Sequence, residues 1–550
     1  MCDLKNYQAL FLENNFKGSC ISNCIIHLPL GKLFSSGKTQ NFYSVIEKFL
    51  TDHMFINSIL VMIMVTWLAI AIFMLTARIL PYKMWRVNTA ILFCLMLIFS
   101  LYIWYIFNPE EVGFQLVYTV PLLENYGIDF IIGLDGISLC FLLLTTFIMF
   151  LCWFAAAQIK VNSKEFLFCL VLIELFLIIS FIVLDLFFFY VFFESVLIPM
   201  FIIIGFWGAR SRKIKAAYYF FLYTLFGSLF MLFGILYIYT LTGTTDFRVL
   251  LNTDFNFGQQ LVLWLCFFIP FAIKIPMFPF HIWLPEAHVE APTIGSMILA
   301  SLLLKLGGYG LLRFTIPLFP LGSQFFSPLV YSLGVVSVVY ASLITIRQID
   351  LKRIIAYSSV AHMNLIVLGL FSYTQQGIDG AIYLMIGHGI VSTGLFFCVG
   401  VLYERHHTRL LKYYGGLIET MPRYSIYFFM FTIANMGFPG TSNFVGEFLI
   451  LIGIFEKNSI VMFFAATGII LGAVYSIWLY NRIIFGALKT KYMSTKVFKD
   501  VTPLEQKVLV FLTIQMFILG IHADFVTELT ELPVKHILLC VQTMKIGKSP

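Results

Sequence analysis

The chain has 550 residues, 60% of them hydrophobic and only 11% charged, with a mean hydropathy of +0.93. A soluble globular domain is ~45–50% apolar and ~25% charged, so this composition excludes one and points to a polytopic membrane protein. The formal charge of +7 is dispersed over loops, with no basic patch interleaved with aromatics, which argues against nucleic-acid binding.

Residues 1–54 form a polar to mixed extension without a motif, too polar for a cleavable signal peptide. A partner-binding arm or a tolerated extension both fit, the second being the plainer reading. Cys20 and Cys24 make a single C-x3-C there; no second pair completes a zinc site, and whether the two pair with each other stays open. Fourteen apolar runs follow, at about 55–77, 88–107, 136–157, 166–184, 186–207, 217–241, 259–280, 293–313, 326–346, 354–371, 378–403, 424–455, 460–481 and 506–525. Most remaining cysteines fall inside these runs and read as small buried hydrophobes. The expected fold is an all-α polytopic membrane protein of about fourteen transmembrane helices.

Loop charge supports that count. The odd-numbered loops hold 21 Lys and Arg, the even-numbered ones 3, counting Arg313 at the end of the eighth span. The positive-inside rule then puts the odd loops inside and both termini on the outer side. The seventh and twelfth spans are interrupted, one by Pro270, Pro276 and Pro279, the other by Gly437-Phe438-Pro439-Gly440. Paired interruptions suggest two inverted five-helix repeats, spans 4–8 and 9–13, each with one discontinuous span. The chain divides accordingly into the extension 1–54, helices one to three over 55–157, a first repeat over 158–325, a second over 326–505, and a last helix with a C-terminal tail over 506–550.

Six ionisable residues stand out inside these spans. Lys274 sits in the broken seventh, and Glu447 in the broken twelfth with Asn443 one turn before it. Glu194 has Tyr190 one turn before it and Pro199 after it. Lys305 precedes Gly307 and Gly308. His362 shares a face with Ser358 and Ser359, and His388, between Gly387 and Gly389, has Ser392 one turn on. A charge at mid-bilayer costs at least ~2.5–3.5 kcal/mol and marks an ion or proton path by default. Structural interhelical ion pairs, or polar core groups in the case of the histidines, are the competing reading. A carboxylate beside a lysine can switch it between holding and releasing a proton, with Glu194 the candidate modulator and Lys274 the switch.

Other clusters carry less. His281, Glu286, His288 and Glu290 lack metal-site spacing and read as fixing the end of the broken helix. Glu174 and Asp185 fit ion entry or local pairing. Glu404-Arg405-His406-His407 reads as a solvated turn. No nucleotide, haem or iron–sulfur motif is present, so the chain is expected to bind no metal or redox cofactor itself.

The stretch FAIKIPMFPFHIWLPEAHVEAPT resembles the antiporter-like subunits of NADH:ubiquinone oxidoreductase, respiratory complex I. FFESVLIPM, LLLKLGGYGLLRF, SSVAHM and NFVGEF narrow the likeness to the subunit 4 branch, where the position of Glu447 is Glu and not the Lys usual in sibling subunits. GLDGISLCFLLLTTF, from Gly133, is similar too, and the resemblance spans about 55–525. It implies a proton-translocating membrane-arm subunit, part of an enzyme whose NAD, FMN, iron–sulfur clusters and ubiquinone are held elsewhere. Glu194 and Lys274 are then a first half-channel pair, Lys305 the central lysine, His362 and His388 relays, and Glu447 the terminal proton carrier. The implied partners are other membrane-arm subunits, including neighbouring antiporter-like ones, and lipids. The implied location is a mitochondrial inner membrane, or else a bacterial plasma membrane. A subunit of a multi-subunit sodium/proton antiporter is the alternative function, and a transport-inert spacer a third.

Overall fold

The computed structural model describes residues 81–123, 126–159, 161–489 and 499–546, with single positions at Ile63, Thr66 and Ala69. The N-terminal extension, Cys20, Cys24 and most of the first expected span lie outside them. Among the described residues twelve helices are long and apolar enough to cross a membrane. Helices dominate because a backbone in lipid must satisfy its own amides and carbonyls.

In chain order the first elements are α1 (Tyr82–Ile106), β1 (Gln115–Leu123), β2 (Ile128–Leu134), α2 (Gly136–Ala155), α3 (Ser163–Ile182), α4 (Leu186–Trp207), α5 (Lys213–Thr242) and α6 (Phe257–Lys274). The short α7 (Trp283–Glu290) leads to α8 (Thr293–Leu318), α9 (Ser327–Arg347), α10 (Leu351–Leu370) and α11 (Gln375–His406). Then come α12 (Pro422–Asn435), α13 (Ser442–Phe455), α14 (Ser459–Ile484), α15 (Pro503–Ile521) and α16 (Asp524–Ile546).

Two helices form the centre. The apolar windows of α8 and α11 are 100% buried, against 28% for α14 and 33% for α1 at the rim. Mean hydropathy follows the ionisable residues and not burial: it is 1.5 for α6 and α8 and 1.4 for α10, against 2.4 and 2.6 for the well-buried α2 and α3.

Both expected interruptions are present. α6 ends at Lys274, just before Pro276 and Pro279, which offer no amide to continue the ladder. Side chains satisfy the groups this exposes: Trp283 Nε1 donates to Ile273 O (2.9 Å), Asn364 Nδ2 to Pro276 O (3.3 Å), and Ser337 Oγ accepts from Phe278 N (2.9 Å). Between α12 and α13 the chain turns through Gly437 (φ 72°) and Gly440 (φ 89°). A third interruption was not expected. α4 breaks at Val196, because Pro199 cannot return a hydrogen bond to Ser195 O.

The candidate spans are all helical, as expected, but a short strand pair that was not expected lies between α1 and α2. β1 (Gln115–Leu123) pairs antiparallel with β2 (Ile128–Leu134), with Tyr118 opposite Ile132 and Val120 opposite Phe130. Val117, Thr119, Val120, Ile128, Ile131 and Ile132 suit a pleated surface, but the stretch is too polar to register as a span. Beyond α15, α16 is tied back to the bundle: Thr530 Oγ1 donates to Asp379 Oδ1 (3.4 Å) and Gln324 Nε2 to Val541 O (3.4 Å).

Candidate functional site: a file of buried ionisable groups

Glu194 stands at the break of α4, where the helix ladder is already interrupted. The Ser228 hydroxyl of α5 lies beside its carboxylate, and Lys274 is within electrostatic reach. Lys274 is 1% exposed. Its Nζ lies 4.5 Å from the centroid of the Phe193 ring and has no hydrogen-bond partner among the described residues. The carboxylate and the ammonium therefore act on each other through space and not as a contact ion pair. Gly307 lets α8 approach this lysine closely. A Cβ there would stand 3.1 Å from Lys274 Cβ and 2.7 Å from Ile275 Cγ1.

Lys305 occupies the middle of the wholly buried α8. The five residues before Leu304, Leu299–Leu303, are wound as a π-helix, whose wider turn takes carbonyls out of regular α-helical pairing. Lys305 Nζ donates to one of these, Ala300 O (2.6 Å), and its other contact is His388 Nδ1 on α11 (2.9 Å). The His388 ring centroid is 5.4 Å from that of His362 on α10. His362 Nδ1 lies 3.1 Å from Glu447 Oε1 on α13, an ion-pair contact not aligned as a hydrogen bond. The outer carboxylate oxygen, Oε2, rests on Gly437, where a Cβ would be only 2.2 Å away. A cavity of ≈ 20 Å³ adjoins His362 and Glu447, walled also by Asn435 and Tyr475. That is room for about one water.

Lys305, His388, His362 and Glu447 thus form one file across four helices. Glu194 and Lys274 form a separate facing pair, joined to the file by no side-chain contact among the described residues. Asp185 has a structural place instead: it caps α4 through Phe187 N (2.8 Å) and Phe188 N (3.0 Å) and accepts from Thr245 Oγ1 (2.5 Å). Glu174 is fully buried with neither oxygen hydrogen-bonded, so local pairing does not account for it.

Two groups counted as loop charges prove to be interior. Lys352 Nζ donates to Ala291 O (2.7 Å) and Ser296 Oγ (3.3 Å). Arg409, 0% exposed, lies 3.7 Å from Glu290 and 3.6 Å from Asp350. His288 stacks on Phe396 at 4.5 Å nearby. Lys and Arg beside a span look the same in sequence whether they face water or the bundle, so no sequence signal separated them. The solvated-turn reading of residues 404–407 fails as well. Arg405 holds Glu505 with two bonds, 2.7 and 3.1 Å, and donates to Lys499 O (2.8 Å), fastening α11 to the start of α15.

Residues 183–472, which hold all six positions, match the family described as NADH:quinone oxidoreductase/Mrp antiporter, TM. The chain is 56% identical to NADH-ubiquinone oxidoreductase chain 4 of Marchantia polymorpha, over 77% of this chain and 84% of that one. It is 57% identical to the chain 4 protein of Arabidopsis thaliana over 72% and 80%, and 45% to NADH-quinone oxidoreductase subunit M of Rhodobacter capsulatus over 78% and 86%. Its fold is similar to a chain of respiratory complex I from Thermus thermophilus with bound NADH (TM-score 0.78, 28% identity, covering 88% of this chain and 99% of that one). It is also similar to a chain of the Mrp complex from Dietzia sp. DQ12-45-1b (TM-score 0.78, 18% identity, 88% and 99%), a likeness of fold alone. The chain belongs to the NADH:quinone oxidoreductase/Mrp antiporter transmembrane family and, within it, to the NADH-ubiquinone oxidoreductase chain 4 proteins.

Proposed function

We propose that the chain is the proton-translocating membrane-arm subunit of NADH:ubiquinone oxidoreductase, and that Glu194, Lys274, Lys305, His388, His362 and Glu447 carry the protons. The observation that supports this most is the file of contacts from Lys305 to Glu447. Direct proton transfer needs heavy atoms within ~2.6–3.2 Å, or one intervening water. The Lys305–His388 contact of 2.9 Å meets the first condition; His362 and Glu447 are 3.1 Å apart without hydrogen-bond alignment, and the cavity beside them has room for the one water. The two histidine rings, 5.4 Å apart by centroid, suit the second.

Glu194 and Lys274 would act as the switch. While the carboxylate faces Lys274 it favours the charged amine; when it is displaced or neutralised, burial favours release. Gly307 places α8 against Lys274, so the released proton enters the bundle beside the helix that carries Lys305. Redox chemistry takes place in partner subunits and reaches this chain as a change in the charge or position of such groups. The halves containing the broken α6 and the broken α12–α13 turn would be inverted repeats, spans 4–8 and 9–13, around this file. Other membrane-arm subunits and lipids cover the outward faces. The likeness to plant and liverwort chain 4 proteins above the bacterial subunit M favours a mitochondrial inner membrane, with both termini on the outer side.

Lys274→Ala and Glu194→Gln in the assembled complex are the test. Proton pumping is abolished while the complex stays largely assembled; normal pumping in both variants would remove the basis of the proposal. Flavin and iron–sulfur absorbance co-purifying with the chain separates this function from that of a sodium/proton antiporter subunit.

A further inference from the structure

Several groups in and around the file leave polar atoms without a hydrogen-bond partner among the described residues: Lys274 Nζ, Glu194 Oε1, His362 Nε2 and both ring nitrogens of His288. One buried cluster on the same central helix is built the opposite way. Lys305, Tyr309 and Arg313 follow at four-residue spacing and share a face of α8. The Tyr309 hydroxyl donates to Phe181 O (2.8 Å) and accepts from Arg313 Nε (3.3 Å). Arg313 Nη2 donates to Asp135 Oδ1 (2.5 Å), which also accepts from Ser138 N (2.9 Å) as the cap of α2. The guanidinium lies over the Phe114 ring at 5.3 Å and the Tyr309 ring at 5.4 Å.

Just beyond this pair is a vestibule of ≈ 60 Å³, walled by Phe114, Asp135, Arg313, Pro533 and His536. It is large enough for several waters. Arg313 and Asp135 form part of its wall, and Lys305 lies about two helical turns before Arg313 on α8. An arginine cannot give up its proton in a protein, so it cannot serve as a relay, and a fixed positive charge repels an arriving proton. A translocator needs such a closure wherever water comes near its central line.

We propose that the Arg313–Asp135 pair, with Tyr309, is a proton seal that closes α8 between the vestibule and Lys305. The inference rests on the reading of the chain as a proton translocator. It assigns these residues to preventing back-leak, not to carrying protons. A lysine at this position keeps the charge but, when buried, releases its proton readily.

The test is Arg313→Lys in the whole complex, reconstituted in vesicles, with passive proton and potassium permeability measured in the absence of NADH. The expected result is a several-fold rise in proton permeability, unchanged potassium permeability, and a lowered proton-to-electron ratio at retained NADH oxidation. The double variant Asp135→Leu/Arg313→Met fills the site with apolar groups of similar volume, a replacement buried ion pairs often tolerate, and should be as tight as the parent. Arg313→Gln, read by the same two permeabilities, serves if the lysine variant does not assemble. A proton-tight Arg313→Lys overturns the proposal, as does a leak that passes potassium equally. Either result leaves the proposed function standing if Lys274→Ala still abolishes pumping, and that function falls separately if it does not.

Discussion

Replacing Gly437 by Ala asks whether the Glu447 carboxylate must be held against His362. The new Cβ would stand 2.2 Å from Glu447 Oε2. Heavy atoms in contact prefer roughly 3.5–4.0 Å, so the carboxylate retreats by about 1 Å. The contact with His362 is 3.1 Å, and a displacement that carried Oε1 to roughly 4 Å would, at an effective dielectric of ~20, lower the attraction in a charged pair from about 5 to about 4 kcal/mol. A loss of that size is close to tenfold in the population of the paired state. Gly437 also has φ 72°, and an L-residue held there costs a further ~1–2 kcal/mol. Gly440→Ala supplies the control. Its φ is 89°, and nothing lies within 4 Å of its would-be Cβ, so it carries the strain without the clash. Protons translocated per NADH oxidised, in vesicles containing the complex, should fall toward loss of this chain's share for Gly437→Ala and change little for Gly440→Ala. Equal effects of the two substitutions would falsify the claim that carboxylate position matters.

Three further outcomes follow from the same geometry. Lys305→Met keeps an unbranched side chain in the core but removes the links to Ala300 O and His388; pumping should be lost with the complex assembled, and retained pumping in vesicles would show that the file is not the route. Gly307→Ala puts a Cβ 2.7 Å from Ile275 Cγ1, an overpacking cost of ~1–3 kcal/mol; a clear fall in thermal stability is expected, and an unchanged melting curve would mean α6 and α8 yield easily. Arg405→Ala leaves the 4%-exposed Glu505 carboxylate without its bidentate partner, a loss of up to ~3–5 kcal/mol for a buried pair; protease should then cut between α14 and α15 faster, and Arg405→Lys should restore only part of the protection because the forked contact is gone.

The spans were legible because burial in lipid imposes long apolar runs, and the breaks because proline and glycine act locally. The break in α4 was missed, although Pro199 carries the same signal, because the run stays hydrophobic enough on either side of Glu194 and Ser195 to read as one span. The strand pair was missed because its stretch, though rich in β-branched residues, is too polar to register in a hydropathy scan. Within the site, sequence reading picked out the ionisable residues but not their order of contact. Lys305 and His388 are 83 positions apart, and their meeting depends on the π-helical turn before Leu304 and on the close packing of α8 and α11. Neither is encoded in a local pattern. Lys352 and Arg409 were hidden because a charge at a span end looks the same from sequence whether it faces solvent or a buried carboxylate.

The hydropathies of the helices that carry the buried lysines and His362 bear on how the chain is made. Insertion machinery reads each helix as it emerges, and charged residues at mid-helix weigh against release into lipid. The helices that carry Lys274, Lys305 and His362 have mean hydropathies of 1.5, 1.5 and 1.4, the weakest signals among the twelve. They are flanked in the chain by α5 at 2.0 and α9 at 2.1. Biogenesis therefore favours a cooperative order in which the more apolar rim helices enter lipid first and shelter the polar ones as they arrive. A proton path concentrated on few helices makes those helices the points at which synthesis of the subunit is most easily derailed.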